Sequence, residues 1–423
     1  MTNMGIAPAP QAYKAQARMM AGACIGMFLN PAPLVLLSFG VYLLPIVKDT
    51  GWDRDFIAGS IGAAMLLIGL SPPLVGWLIS RFGPRRVSGI CFPLCGLAIM
   101  LLGLPTTPVT FVLALAVFGI LASGQTAILY VYCLTGWFDR RRGMALGLGL
   151  ACTGLGIALV PPLSLRAIDA FGWRGTYFAL GLAVFLIAIP VSRYLILDPP
   201  VTVGKSSHEI AGVAWRQALR SRVFWLLAAA IFLVGAAAGG GMQNLNLMLI
   251  ERGVSPQSAS FILTLLGVSM IAARLVCGAL FDRMRGQTLT AMICMTVGIA
   301  FLVLALRGDN VGIMIAAVLI GIGFGAEGDA LAYMTSRAFG MRDFGTIFGI
   351  IFLAFTAGGG VGPMLFAVIR SQTGDYQAAM WIAAAACAVA TLLALMIRDS
   401  DLPFVAREGH GAATADPLQA AHA

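Results

Sequence analysis

Apolar runs of about 20 residues or more recur twelve times along the chain, each bounded by charges, prolines or glycine clusters. Their approximate limits are 20–47, 54–79, 86–104, 108–134, 143–168, 173–197, 222–249, 255–281, 287–306, 311–337, 344–370 and 376–397. A bilayer core needs about 20 apolar residues per helix, so every run is long enough to cross. None shows the ten-residue alternation of a barrel strand, so all twelve are predicted to be helices. The first run follows a polar tail and is not followed by a small-residue cleavage site, which makes it a retained span. Between runs six and seven lies the longest internal polar stretch, opened by Pro199-Pro200 and carrying Ser206-Ser207-His208-Glu209. The pattern predicts an N-terminal tail over 1–19, a six-helix bundle over 20–197, a linker over 198–221, a second six-helix bundle over 222–397 and a polar tail over 398–423.

Composition narrows this to a lipid-embedded protein. Of 423 residues, 59% are hydrophobic and 11% charged, against roughly 25% charged in an ordinary soluble domain. The eight cysteines all sit in apolar runs as small packing residues; Cys91 and Cys95 are the closest pair, with no second pair or histidine near them to complete a metal site. His208, His410 and His422 lie in the linker and tail, away from the spans. No metal or other cofactor is expected. Placing the N-terminus inside puts 19 Lys and Arg on the cytoplasmic side and 7 on the other, with Arg274 inside a span. By the positive-inside rule both termini are cytoplasmic, and the net charge of +9 needs no nucleic-acid partner.

The two halves are related by one ungapped shift of 202 residues, which superposes Gly76 on Gly278, Arg81 on Arg283, Gly119 on Gly321, Arg140 on Arg342, Pro161 on Pro363 and Gly172 on Gly374. Run 2 ends in Gly76-Trp-Leu-Ile-Ser-Arg81-Phe-Gly-Pro-Arg85-Arg86 and run 8 in Gly278-Ala-Leu-Phe-Asp282-Arg283-Met-Arg285-Gly286. Both resemble the loop motif of the major facilitator superfamily, Gly-x-Leu-x-Asp-Arg followed by glycine and basic residues. Phe39-Gly-Val-Tyr-Leu-Leu-Pro45, Gly51-Trp52-Asp-Arg54, Trp137-Phe-Asp-Arg-Arg-Arg142-Gly-Met-Ala-Leu-Gly147 and Gly172-Trp173-Arg174 resemble the branch of bacterial monocarboxylate transporters and oxalate:formate antiporters. The resemblance implies an all-α membrane protein of two pseudo-symmetric six-helix bundles around a midplane cavity. Its function would be secondary transport of a small organic monocarboxylate by alternating access, with a proton as co-substrate and a monomer as the working unit. Two departures bear on the substrate. Residues 344–369 carry no basic residue where the oxalate pattern has one, and Lys48 lies at the outer end of run 1 instead of within it. With one intramembrane cation, a singly charged anion fits better than oxalate.

Three charges lie well inside spans: Arg274, Glu327 and Asp329. Each costs at least ~2.5 kcal/mol there, so each needs a reason. Arg274 either binds an anionic group of the substrate, as the resemblance implies for an arginine of run 8, or neutralises an acid of its own bundle. Glu327 and Asp329 are two residues apart, about 200° around a helix, so one can serve the cavity and the other a neighbouring helix. Asp329 shares a face with Tyr333 and Ser336, Glu327 lies near Phe324, Leu331 and Met334, and the repeat sets Glu327 opposite Gln125; which acid meets the substrate stays open. An acid near Arg274 becomes easier to protonate once a substrate anion takes over the arginine, which would couple substrate to proton.

Asn30, Gln125, Gln243, Asn244 and Asn246 are candidate substrate contacts, each with helix-to-helix bonding as its alternative. Gly76, Arg81, Gly278, Asp282 and Arg283 are candidates for a cytoplasmic gate, lopsided because Ser80 stands where the other half has Asp282. Gly156 and Gly358 are expected to allow close approach where the halves meet. The main alternative is an efflux or exchange carrier for another small or hydrophobic solute, with Arg274 structural. No filter-like repeat, nucleophile-base cluster or phosphate loop points to a channel or an enzyme.

Overall fold

The computed structural model describes residues 9–138, 141–200, 211–251, 254, 256–306, 309–398 and 401. Arg140, Lys205, the three histidines, residues 402–423 and the side chain of Asn246 lie outside the described residues. The chain separates into two compact units, Met1–Lys205 and Ser206–Ala423. Unit 1 holds α1 (Ala9–Phe28), α2 (Phe39–Thr50), α3 (Arg54–Leu70), α4 (Pro72–Phe82), α5 (Pro84–Leu101), α6 (Pro108–Ala122), α7 (Ala127–Trp137) and α8 (Arg142–Pro190). Unit 2 holds α9 (Trp215–Ala218), α10 (Arg222–Glu251), α11 (Pro256–Phe281), α12 (Gly286–Leu306), α13 (Asn310–Phe339), α14 (Phe344–Thr373) and α15 (Gln377–Leu395).

Among the described residues ten helices are long and apolar enough to cross a membrane, and eleven when the pair Gly59–Leu70 and Pro72–Phe82, bent by 44°, counts as one broken span. One of the ten is double length. The 49 residues of α8 would make a rod of about 74 Å at 1.5 Å per residue, more than twice a bilayer core. Gly172, at φ 68° and ψ 169°, leaves helical geometry and divides it. That backbone is open to glycine alone, and it turns one rod into two crossings, the predicted fifth and sixth.

The repeat of 202 residues recurs in the helix boundaries. Arg54 and Pro256 open α3 and α11, Pro84 and Gly286 open α5 and α12, Pro108 and Asn310 open α6 and α13, and Arg142 and Phe344 open α8 and α14. Trp137 and Phe339 close α7 and α13 at the same offset. Packing repeats as well. A Cβ on Gly119 would meet Ala64 and Leu67 of α3, and one on Gly321 would meet Leu266 and Ser269 of α11, their repeat partners. Gly172 and Gly374 both have positive φ, 68° and 86°. In unit 1 the principal pairings are α5 with α8, α3 with α6 and α1 with α8; in unit 2 they are α12 with α15, α11 with α13 and α10 with α14.

The units differ where unit 1 breaks its helices. The first span is interrupted at Asn30-Pro31-Ala32-Pro33, where α1 gives way to a π-helical turn, Ala32–Leu36, before α2. The fourth span passes through a 3-10 turn, Ser123–Gln125, between α6 and α7, and the second breaks at Ser71. In unit 2 the matching helices run on, and the positions 202 residues after Pro72 and Gln125 are Arg274 and Glu327. At two of these three breaks unit 2 places a charged side chain instead.

Two further differences from the sequence reading have local causes. The first helix starts at Ala9, ahead of the apolar run, because residues 9–19 are rich in Ala, Gln, Lys and Arg, all strong helix formers; Gln16 Nε2 donates to Trp137 O at 3.1 Å and holds this extension down. The last part of the expected linker belongs to unit 2. Val213 N donates to Phe339 O at 2.8 Å, Met341 N to Ala211 O at 3.1 Å and Trp215 N to Asp343 Oδ2 at 2.9 Å, so residues 211–215 lie along the turn between α13 and α14. Gly156 and Gly358 also allow close approach within their own units: a Cβ on Gly156 would stand 2.8 Å from Phe28 O, and one on Gly358 would meet Phe232 O of α10.

Candidate functional site

Two stripes of small residues on α13 decide where its acids point. A Cβ on Gly321 or Gly325 would collide with Leu266, Ser269 and Met270, so this stripe lies against α11. Positions 321 and 325 meet 266 and 270, so the two helices run in the same direction with a fixed register. One turn further on, Asp329 follows Gly325 and Arg274 follows Met270, which sets the acid and the arginine side by side. Gly323 instead meets Val297 and Ile293 of α12, and its next turn is Glu327.

Asp329 lies near the Arg274 guanidinium. Glu327 lies instead near Cys294 on α12 and Cys387 on α15, inside the packed core of unit 2. Asp329 shares a seam with Arg274 and Glu327 does not.

All three side chains are deeply buried, Arg274 at 8% exposure, Glu327 at 2% and Asp329 at 0%. Among the described residues, Arg274 Nε and Nη1 and both oxygens of each acid lack hydrogen-bond partners, and no ion pair joins them. Almost all buried polar groups in folded proteins are paired, so these open groups stand out in unit 2.

The uncharged candidates divide into structural and open positions. Asn30 closes the break in the first span: its Nδ2 donates to Met27 O at 2.6 Å and Thr153 Oγ1 at 3.0 Å, and its Oδ1 accepts Ala32 N–H at 2.9 Å. Gln125 is fully buried and donates to Tyr130 Oη at 2.5 Å, where the Tyr130 ring lies against Gly26. Asn244 donates to Gly240 O at 2.9 Å and accepts from Tyr376 Oη at 3.3 Å. Gln243, one position earlier on α10, is exposed.

In the loop motifs, Gly76 and Gly278 are buried on α4 and α11, Asp282 is half-buried, and Arg81 and Arg283 are exposed. The Arg81 guanidinium lies 5.2 Å from the Trp77 ring centroid. Ser80 supplies no carboxylate, but Asp198 does: its Oδ1 accepts Arg85 N–H at 3.1 Å, at the start of α5. Sequence reasoning missed Asp198 because it lies 118 residues from Ser80, beyond any local pattern. The Gly172-Trp173-Arg174 signature is architectural. Trp173 Nε1 donates to Asp49 Oδ2 at 2.9 Å, its ring packs edge-on against Phe111 and Tyr177, and Arg174 stacks over it at 4.2 Å while donating to Gly103 O and Pro105 O.

Two units of one helical plan, each able to span a bilayer six times, with unsatisfied charges held at depth, define a membrane carrier. The chain belongs to the Major Facilitator Superfamily, whose sequence profile matches residues 23–363. It is similar to Monocarboxylate transporter 13 of Bos taurus, 25% identical over 361 residues that span 83% of this chain and 82% of that protein. It is also similar to an uncharacterized MFS-type transporter, YcxA, of Bacillus subtilis, 26% identical over 255 residues, or 58% of this chain and 60% of that one. Among solved structures, the human organic anion transporter MFSD10 (TETRAN) shares the fold, with a TM-score of 0.70 at 14% identity over 90% of this chain and 99% of that chain.

Proposed function

We propose that this protein is a secondary transporter that carries a small organic monocarboxylate across the cytoplasmic membrane together with a proton, with both termini in the cytoplasm. The observation that carries the reading is the guanidinium of Arg274, buried among apolar helices and unpaired by either nearby acid. An arginine cannot shed its proton to escape that position, and its planar fork matches a carboxylate. The similarity to monocarboxylate transporters at 25% identity supports the same substrate class. Asp329 is the proton-carrying group in this scheme. While Arg274 is free, its field favours the ionised carboxyl; when a substrate anion neutralises the arginine, that support is lost and the acid takes up a proton. Substrate and proton then leave as one neutral load. Glu327 has a packing role, since it faces α12 and α15 instead of Arg274.

A thermal-shift panel on detergent-purified protein tests this. Short and aromatic monocarboxylates, dicarboxylates, amines and neutral sugars are compared on the wild type and Arg274→Ala. A monocarboxylate is expected to raise the apparent melting temperature of the wild type and to leave the variant unmoved, because only a ligand bound to the folded state stabilises it. Equal shifts in both proteins would remove Arg274 from the binding site.

A further inference from the structure

We propose that unit 1 carries a binding site for an anionic phospholipid, distinct from the transport site, in the groove between the start of α5 and the end of α8. The groove holds a cavity of about 550 Å³ whose walls include Arg85, Arg86, Arg193 and Asp198, with Gly89, Pro93 and Ile189 as its apolar part. Three guanidinium groups against one carboxylate leave a local charge of about +2, and that carboxylate is already engaged: Asp198 Oδ1 accepts the Arg85 N–H at 3.1 Å. The site is built and not merely a scatter of surface charge. Arg85 Nη2 donates to Arg193 O at 3.0 Å and Ser88 Oγ meets Ser192 Oγ at 3.0 Å, so the two helix ends are tied across the groove. Arg193 sits in a π-helical turn, Val191–Leu195, a local widening of the helix that is common at functional positions.

Shape and polarity select an amphiphile over a free anion. On α5, Arg86, Ile90, Pro93 and Leu97 follow one another at helical spacing, and Ile90 and Leu97 are exposed. On α8, Leu182, Leu186 and Ile189 lead to Arg193 in the same way, and all three leucine and isoleucine side chains are exposed. Below these rails the helices close up, with a Cβ on Gly96 only 2.8 Å from Gly181 O. The groove thus has a cationic head and two apolar rails running from it along the span. A phosphate headgroup meets the arginines by paired N–H bonds, and its acyl chains lie along the rails, where no other part of unit 1 covers them. Basic residues placed only to set topology would need neither a shared cavity nor aligned rails.

The test uses the full-length protein, delipidated in detergent and offered phosphatidylglycerol or phosphatidylcholine of identical chains, with bound lipid counted by native mass spectrometry. The wild type is expected to retain phosphatidylglycerol over phosphatidylcholine. Arg86→Gln with Arg193→Gln should lower that retention by at least about tenfold, from the loss of two charges at the headgroup. Arg86→Lys with Arg193→Lys should keep most of it, which covers the case in which the glutamine pair does not fold. Equal retention of the two lipids by the wild type, or undiminished retention in the glutamine pair, would overturn the proposal. So would displacement of the lipid by inorganic phosphate or glycerol phosphate at equal concentration, since the ligand would then be the free anion. Arg274→Ala leaves this retention unchanged, so the lipid site stands or falls apart from the transport reading.

Discussion

At the scale of single residues, Arg274 is a buried cation within a span, and its two explanations predict opposite stabilities. If it neutralised an acid, its removal would strand a buried carboxylate at a cost of about 3–5 kcal/mol. Among the described residues no ion pair or hydrogen bond joins it to an acid, so Arg274→Met is expected to cost less than that while ligand stabilisation disappears. A conservative exchange should rescue part of the function: Arg274→Lys keeps the charge but not the fork, and its ligand affinity should fall by roughly tenfold instead of vanishing. The two acids separate in the same way. Asp329→Asn is expected to abolish accumulation driven by a pH gradient while leaving counterflow exchange, as measured in proteoliposomes. Glu327→Met should retain accumulation and raise the melting temperature, because it replaces an unsatisfied buried carboxyl with an apolar chain of similar size. Accumulation that survives in Asp329→Asn and fails in Glu327→Met would exchange their roles.

At the scale of elements, the site depends on the seam between α11 and α13, which glycines hold closed. Gly325→Val would force a branched side chain into the Met270 backbone and part the helices at the turn before Arg274 and Asp329. Overpacking of this kind costs about 1–3 kcal/mol, so a lower melting temperature together with lost ligand binding is the expected result in a thermal-shift assay. Gly172→Ala strains a backbone with φ 68° and ψ 169° and should destabilise by about 1–3 kcal/mol, measurable in the same assay without direct effect at Arg274. Much at this scale was legible in the chain. The spans and the repeat follow from apolar length and one constant offset. The partner of each acid did not follow, because periodicity says only that residues 327 and 329 point apart; the neighbours are chosen by the glycines at 321, 323 and 325, whose contacts lie in other helices. The breaks at Asn30 and Gln125 were hidden by hydropathy, which averages over an interruption. Asn30-Pro31 and Ser123-Gly124 carry turn chemistry that marks them in retrospect.

At the scale of the whole molecule, the two units share one helical plan and differ in local detail. Two of the three helix breaks of unit 1, at Pro72 and Gln125, fall where unit 2 carries charges, and unit 1 adds the aromatic cluster around Trp173 and the basic groove beside α5. A carrier of this construction has an even number of crossings, so reporters fused to the two ends should report the same compartment; opposite compartments would require a span to be recounted. The central claim is that one unpaired arginine selects a monocarboxylate for transport. Counterflow of a labelled short monocarboxylate into proteoliposomes, with wild type and Arg274→Ala compared, tests it most directly. Saturable counterflow is expected in the wild type, with a loss of at least about thirtyfold in the variant, in line with the cost of truncating one partner of a buried charge pair. Undiminished counterflow in Arg274→Ala, or counterflow of neutral or cationic solutes alone, would contradict it.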